Sequence, residues 1–128
     1  MQYEYFYGAQ AEQFSFYRIP KALFTEPNFR ELSTDAKVLY GILLDRMSLS
    51  LKNQWIDAQN KVYIIFTVEE IMDALNCANQ KATRLMVELE KQAGLIERKR
   101  QGLGRPNLIY VKNFAATING KSCEKADS

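Results

Sequence analysis

The chain has 128 residues, 47% of them hydrophobic and 25% charged, with a net charge of +2. This is a single-domain length with room for a real core, and its composition excludes global disorder. No apolar run approaches the roughly 18 residues of a membrane span, and no basic, apolar leader opens the chain.

Histidine is absent, and the two cysteines, Cys77 and Cys123, lie far apart without metal-site spacing, which argues against a zinc site. Both read as free thiols in a reducing cytoplasm. The charge is unevenly placed. Residues 1–79 carry seven Lys/Arg against ten Asp/Glu, whereas residues 80–112 carry eight (Lys81, Arg84, Lys91, Arg98, Lys99, Arg100, Arg105 and Lys112) against three. A positive field confined to one segment is the footprint expected of a nucleic-acid binder.

In chain order, residues 1–15 form an extension dense in aromatics, with a polar break at Gly8–Glu12. Aromatic enrichment with partial alternation predicts either a loose hairpin or one strand near Phe14–Ile19. Seven aromatics (Tyr3, Tyr5, Phe6, Tyr7, Phe14, Phe16 and Tyr17) exceed what one side of a small hairpin buries. About half are expected to pack on the core and the rest to form a partner surface, most simply a homodimer contact through Tyr3, Tyr5, Phe6 and Tyr7.

Pro20 suits the first position of a short helix, PKALF, which Pro27 and Asn28 then break. Ser33 is placed to cap a long helix with Asp35 in its first turn, and Ala36, Leu39, Tyr40, Leu43 and Met47 give it one apolar face. The segment SLSLKNQWIDAQNK reads as a polar loop with Trp55 anchored on the core, and Val62–Phe66 as a buried strand.

Thr67-Val-Glu-Glu70 is a capping box that opens a further helix, with Ile71 and Leu75 facing inward. Asn76–Asn79 supplies a turn, and Asn79 is placed as N-cap of the next helix. There Ala82, Leu85, Met86 and Leu89 form the apolar stripe, and Gly94 closes the helix. At about 100° per residue, Gln80, Arg84, Val87 and Lys91 point away from that stripe, flanked by Lys81 and Thr83. Leu95–Gln101 and Asn107–Phe114, joined by Gly102-Leu103-Gly104-Arg105-Pro106, predict a β-hairpin carrying Arg98, Lys99, Arg100 and Arg105.

The order helix, strand, helix, turn, helix, basic hairpin predicts an α+β winged helix-turn-helix domain with an added aromatic strand or hairpin at its N-terminus. Asn79, Gln80, Lys81, Thr83, Arg84 and Lys91 can hydrogen-bond phosphates or base edges, with Arg suited to guanine and Gln or Asn to adenine. Gly102-Leu103-Gly104 lacks the Gly-Lys-Ser/Thr ending of a phosphate loop and joins strands instead of opening a helix. With no histidine to activate a nucleophile, the residues read as a binding module, not an enzyme, and imply no metal or cofactor.

The segments FYRIPKAL, LSTDAKVLY and GLGRPNLIYV, within residues 16–114, resemble the N-terminal domain of RepA-type plasmid replication initiators of Gram-positive bacteria. The resemblance implies a cytoplasmic protein that binds repeated sequences (iterons) in double-stranded DNA at a plasmid origin and acts as a dimer. It implies a recognition helix over Gln80–Lys91 and a wing over Arg98–Arg105. It also implies a separate C-terminal domain that recruits host replication proteins, to which residues 115–128 would be a tail or the start of a linker. Two other readings fit a winged helix: a protein-assembly module of a primosome, and a transcriptional regulator.

Overall fold

In the computed structural model, which describes residues 2–8 and 14–115, α1 (Ala22–Thr25) and a 3₁₀ turn (Pro27–Phe29) lead into α2 (Thr34–Lys52). Then come α3 (Val68–Leu75) and α4 (Asn79–Val87), the latter running on into a π-helical turn (Glu88–Gln92). Finally β1 (Ile96–Lys99) pairs antiparallel with β2 (Leu108–Val111). Apart from the strand expected over Val62–Phe66, this is the winged-helix order expected from the sequence.

The start of α2 is as predicted: Ser33 Oγ accepts the Ala36 N–H at 3.1 Å, and Asp35 lies in the first turn. Its apolar face is also as predicted, with Ala36, Leu39, Tyr40 and Leu43 buried and Met47 packed against them. Its end is not. The helix continues through Ser48–Lys52, expected as loop, with Ser50 fully buried and the serine hydroxyls turned back onto their own helix. Ser48 Oγ donates to the Asp45 carbonyl at 2.7 Å and Ser50 Oγ to the Arg46 carbonyl at 3.4 Å. Gly41 serves a close approach: a Cβ there would lie 2.9 Å from both the Arg18 carbonyl oxygen and Ile19 Cγ1. The chain entering from the N-terminus therefore crosses α2 at its glycine.

Pro20 sits outside α1, not at its first position. Lys21 is the cap residue, and the Pro20 carbonyl accepts the Leu23 N–H at 3.1 Å. Val62–Phe66 is likewise less regular than expected, contributing single bridges, Ile56↔Val62 and Ile64↔Ile109, in place of a full strand. Ile64 and Ile109 exchange both N–H···O bonds at 2.8 and 2.9 Å, so β2 lies between β1 and this segment. A tight excursion before it limits the pairing. Gln54 and Asn60 adopt positive φ, and Asp57 accepts the Gln59 and Lys61 N–H groups and the Tyr110 hydroxyl. The Lys61 amide is the main cause holding the Asp57 carboxyl below its usual range. Trp55 stacks on Tyr63, with centroids 6.3 Å apart, and does not enter the core.

The core closes where α2, α4 and the hairpin meet: Leu39, Leu43, Ile64, Leu85, Leu89 and Ile109 are at most 1% exposed. Tyr40 ties the chain leaving β2 back to α2 by donating to the Lys112 carbonyl at 2.7 Å, and burial pushes its phenol up to about 12. Phe114 closes the same corner against Phe29 and Tyr40.

The expectation that half of the N-terminal aromatics pack on the core is overturned. All seven are between 55% and 84% exposed, because the helices and hairpin already fill the interior and leave the arm on the surface. No strand forms in residues 2–8 or 14–19, but Phe6 meets Phe14 edge-on at 6.0 Å and Phe14 meets Phe16 at 6.4 Å, which brings the two segments together. The Ala9–Glu12 part of the predicted break, Cys123 and the tail beyond Ala115 lie outside the described residues.

Candidate nucleic-acid interface

The helix pair is set by its caps. Thr67 Oγ1 accepts the Glu70 N–H at 3.2 Å and Glu70 Oε1 accepts the Thr67 N–H at 3.0 Å, the reciprocal box read from the sequence. Asn76 ends α3 in the left-handed conformation (φ 52°), which asparagine tolerates better than most residues. The cap of α4 is Ala78, not Asn79. Asn79 is the first helical residue, and its side-chain oxygen accepts the Thr83 hydroxyl at 3.4 Å. No side chain therefore caps α4, and its first amides stay open to water or to an anionic ligand.

Around α4 the burial follows the predicted period. Ala82, Leu85, Met86 and Leu89 are buried; Asn79, Gln80, Thr83, Arg84, Val87 and Lys91 are exposed. In the π-helical turn the Ala93 N–H bonds the Glu88 carbonyl five residues back, at 3.0 Å. Gly94 (φ +67°) then ends the helix as expected.

Sequence reasoning did not find a brace along one edge of this helix. Lys81 Nζ lies 2.7 Å from Asp35 Oδ2, Glu88 accepts both the Ser33 N–H and hydroxyl, and Gln92 Nε2 donates to the Glu31 carbonyl at 3.4 Å. Positions 81, 88 and 92 lie on one side of a helix, so the start of α2 and the residues just before it hold α4 and its π-helical extension along one edge. Lys81 is thus half-buried and paired, unlike Arg84 and Lys91, for which no ion pair forms among the described residues. That spacing was the only signal available, and its partners are about 50 residues earlier.

The wing divides its cations in the same way. Lys99, Arg100 and Arg105 are exposed, whereas Arg98 turns back to Glu90, Nε to Oε1 at 2.9 Å, with its amide on Oε2 at 3.1 Å. Arg105, Pro106 and Asn107 border a groove shared with Thr67 and Val68, so wing and helix pair present a continuous surface. Burial pushes the Glu90 carboxyl up, but its side-chain and backbone bonds from Arg98 outweigh this and hold it below its usual range.

A stability test follows from this pair. Glu90→Ala is expected to cost about 1.5–3 kcal/mol at pH 7 in urea denaturation, the range for hydrogen bonds to charged groups. Because the folded pKa is depressed, the contribution is present above the unfolded value of roughly 4.3 and is lost as pH falls through the folded one. The stability gap between wild type and Glu90→Ala is therefore expected to narrow below pH 4. A gap that stays constant from pH 7 to pH 3 would refute the assignment.

Comparisons with known proteins fit this geometry. A 41 kDa protein of Lactobacillus helveticus is 33% identical over 103 residues, covering 80% of this chain and 28% of that protein. Among solved structures, one titled N-terminal domain of DNA binding protein shares 36% identity at a TM-score of 0.72, covering 99% of this chain and 98% of the other. One titled structure of Rep-DNA complex shares 39% identity at 0.72, covering 86% and 84%. One titled structure of MDR initiator shares 40% identity at 0.71, covering 98% and 99%. The family described as replication initiator protein A (RepA) N-terminus matches residues 15–125, nearly the whole chain, and the chain belongs to that family.

Proposed function

We propose that this chain is a non-enzymatic, sequence-specific double-stranded DNA-binding domain that marks a plasmid origin by binding its repeats. The observation that carries this reading is the outer face of α4. It is exposed and mainly polar to cationic, packed on the core on one side and braced by the start of α2 on another, and the exposed cations of the wing follow it in the chain. Family membership and a 39% identical relative solved as a Rep-DNA complex support it. In this reading α4 enters the major groove, with Arg84 and Gln80 reading bases, Thr83, Asn79 and Lys91 beside them, and Lys81 at the braced edge. Lys99, Arg100 and Arg105 hold phosphates or the neighbouring minor groove, with Arg98 behind them.

Two partners belong to the same proposal. The exposed Tyr3, Tyr5, Phe6 and Tyr7 form a surface suited to a second copy of the chain, and host replication proteins would be recruited by a C-terminal domain of a longer protein. No helix among the described residues is long and apolar enough to cross a membrane.

The test is an anisotropy titration against duplexes selected by this chain from a random library, at several salt concentrations, with masses measured free and bound. A preference above about 10³ over random DNA is expected, and one below about tenfold would sink the reading. Alanine at Lys99, Arg100 or Arg105 is expected to weaken selected and random duplexes alike and to flatten the salt slope by about one unit. A wing variant that weakens only the selected duplex would reassign that residue to base reading.

A further inference from the structure

Val87 is the one large hydrophobic side chain exposed on α4, 42% open to solvent at a position turned away from the buried stripe. It lies in an open depression on the helix surface, bordered by Arg84, Glu88, Lys91 and Gln92. Glu88 commits its two carboxylate oxygens to Ser33, and Gln92 reaches back to Glu31, so both polar neighbours are held toward the α2 brace. What remains is a short, β-branched apolar group flanked by two cations, Arg84 three residues before and Lys91 four after.

Building on the DNA-binding reading above, we infer that Val87 is a base-reading residue that packs against the 5-methyl group of a thymine. The major groove carries a single apolar feature, that methyl, while cytosine presents only hydrogen at the same ring position. A valine on a face otherwise made of donors and cations has no other apolar partner there, and docking would strip water from both groups. The helix also sets where the thymine lies. Positions 84 and 87 are about 4.5 Å apart along the axis, and base pairs rise about 3.4 Å, so the thymine sits one or two steps from the base pair that Arg84 contacts.

The experiment takes the duplex selected by this chain and replaces its thymines singly with deoxyuracil, which removes the methyl and nothing else. Anisotropy at fixed salt then compares the wild type, Val87→Ala and Val87→Thr, with thermal melting to confirm each fold. For the wild type, one deoxyuracil, one or two steps from the pair read by Arg84, is expected to weaken binding about threefold to fivefold, the value of one buried methyl-sized group. Val87→Ala is expected to bind the thymine and deoxyuracil duplexes within about 1.5-fold of each other. Val87→Thr, which keeps one methyl, is expected to fall between. Equal losses in wild type and Val87→Ala would overturn the assignment, as would a wild type indifferent to every deoxyuracil, and in either case the selected duplex would leave sequence-specific binding intact. If no duplex is preferred over random DNA, the DNA-binding reading and this one fail together.

Discussion

Arg84→Ala is expected to reduce the preference for a selected duplex over a scrambled one by about fivefold to 150-fold, with little change in melting temperature. The size follows from the loss of a bidentate guanine contact, about 1–3 kcal/mol of discrimination against the wrong base. The side chain is exposed, forms no ion pair among the described residues and sits opposite a buried stripe, so its removal leaves the core untouched. Lys81→Ala is the informative contrast. Lys81 is held at 2.7 Å by Asp35, so its loss slackens the brace and should lower affinity by a smaller factor. The measurement is a pair of anisotropy titrations per variant, one on selected and one on scrambled DNA. An Arg84→Ala protein that weakens on both equally would show that Arg84 touches phosphate and that the reading of bases lies elsewhere on the helix.

Much of this site was legible because each local signal had a local cause. The Thr67 to Glu70 box, the Gly94 terminus and the inward stripe Ala82, Leu85, Met86 and Leu89 depend on residues within a few positions of one another. The errors all involve distant partners or backbone detail. Asn79 has the chemistry of a cap, yet the chain turns one residue earlier and leaves Ala78 there. Ser48 and Ser50 look like loop residues, but α2 runs through both and the fold buries Ser50 completely. Lys81 and Arg98 read as free cations like their neighbours. Only the fold brings Asp35 and Glu90 to them, and so separates the held cations from the open ones.

The same dependence on distant partners makes β2 the place where one core substitution should do most damage. Ile109→Ala is expected to destabilise the domain by about 2–5 kcal/mol, a large part of the roughly 5–15 kcal/mol typical of a domain. Ile109 is 1% exposed, stands opposite Arg98 in the hairpin and exchanges two backbone bonds with Ile64 on its other side. Alanine keeps those backbone bonds and empties the side-chain volume between helices and sheet, so the loss is a cavity and not a broken ladder. Leu103, at the tip of the same hairpin and fully exposed, supplies the control: Leu103→Ala should change stability by less than about 0.5 kcal/mol. Urea denaturation of both variants decides the matter. If Ile109→Ala costs no more than Leu103→Ala, the wing is not locked to the core through β2, and its cations are not held in fixed register with α4. Should the large cost be found, DNA binding by the surviving folded fraction should still discriminate between duplexes, because Arg84 and Gln80 lie on a helix whose own stripe and brace are intact.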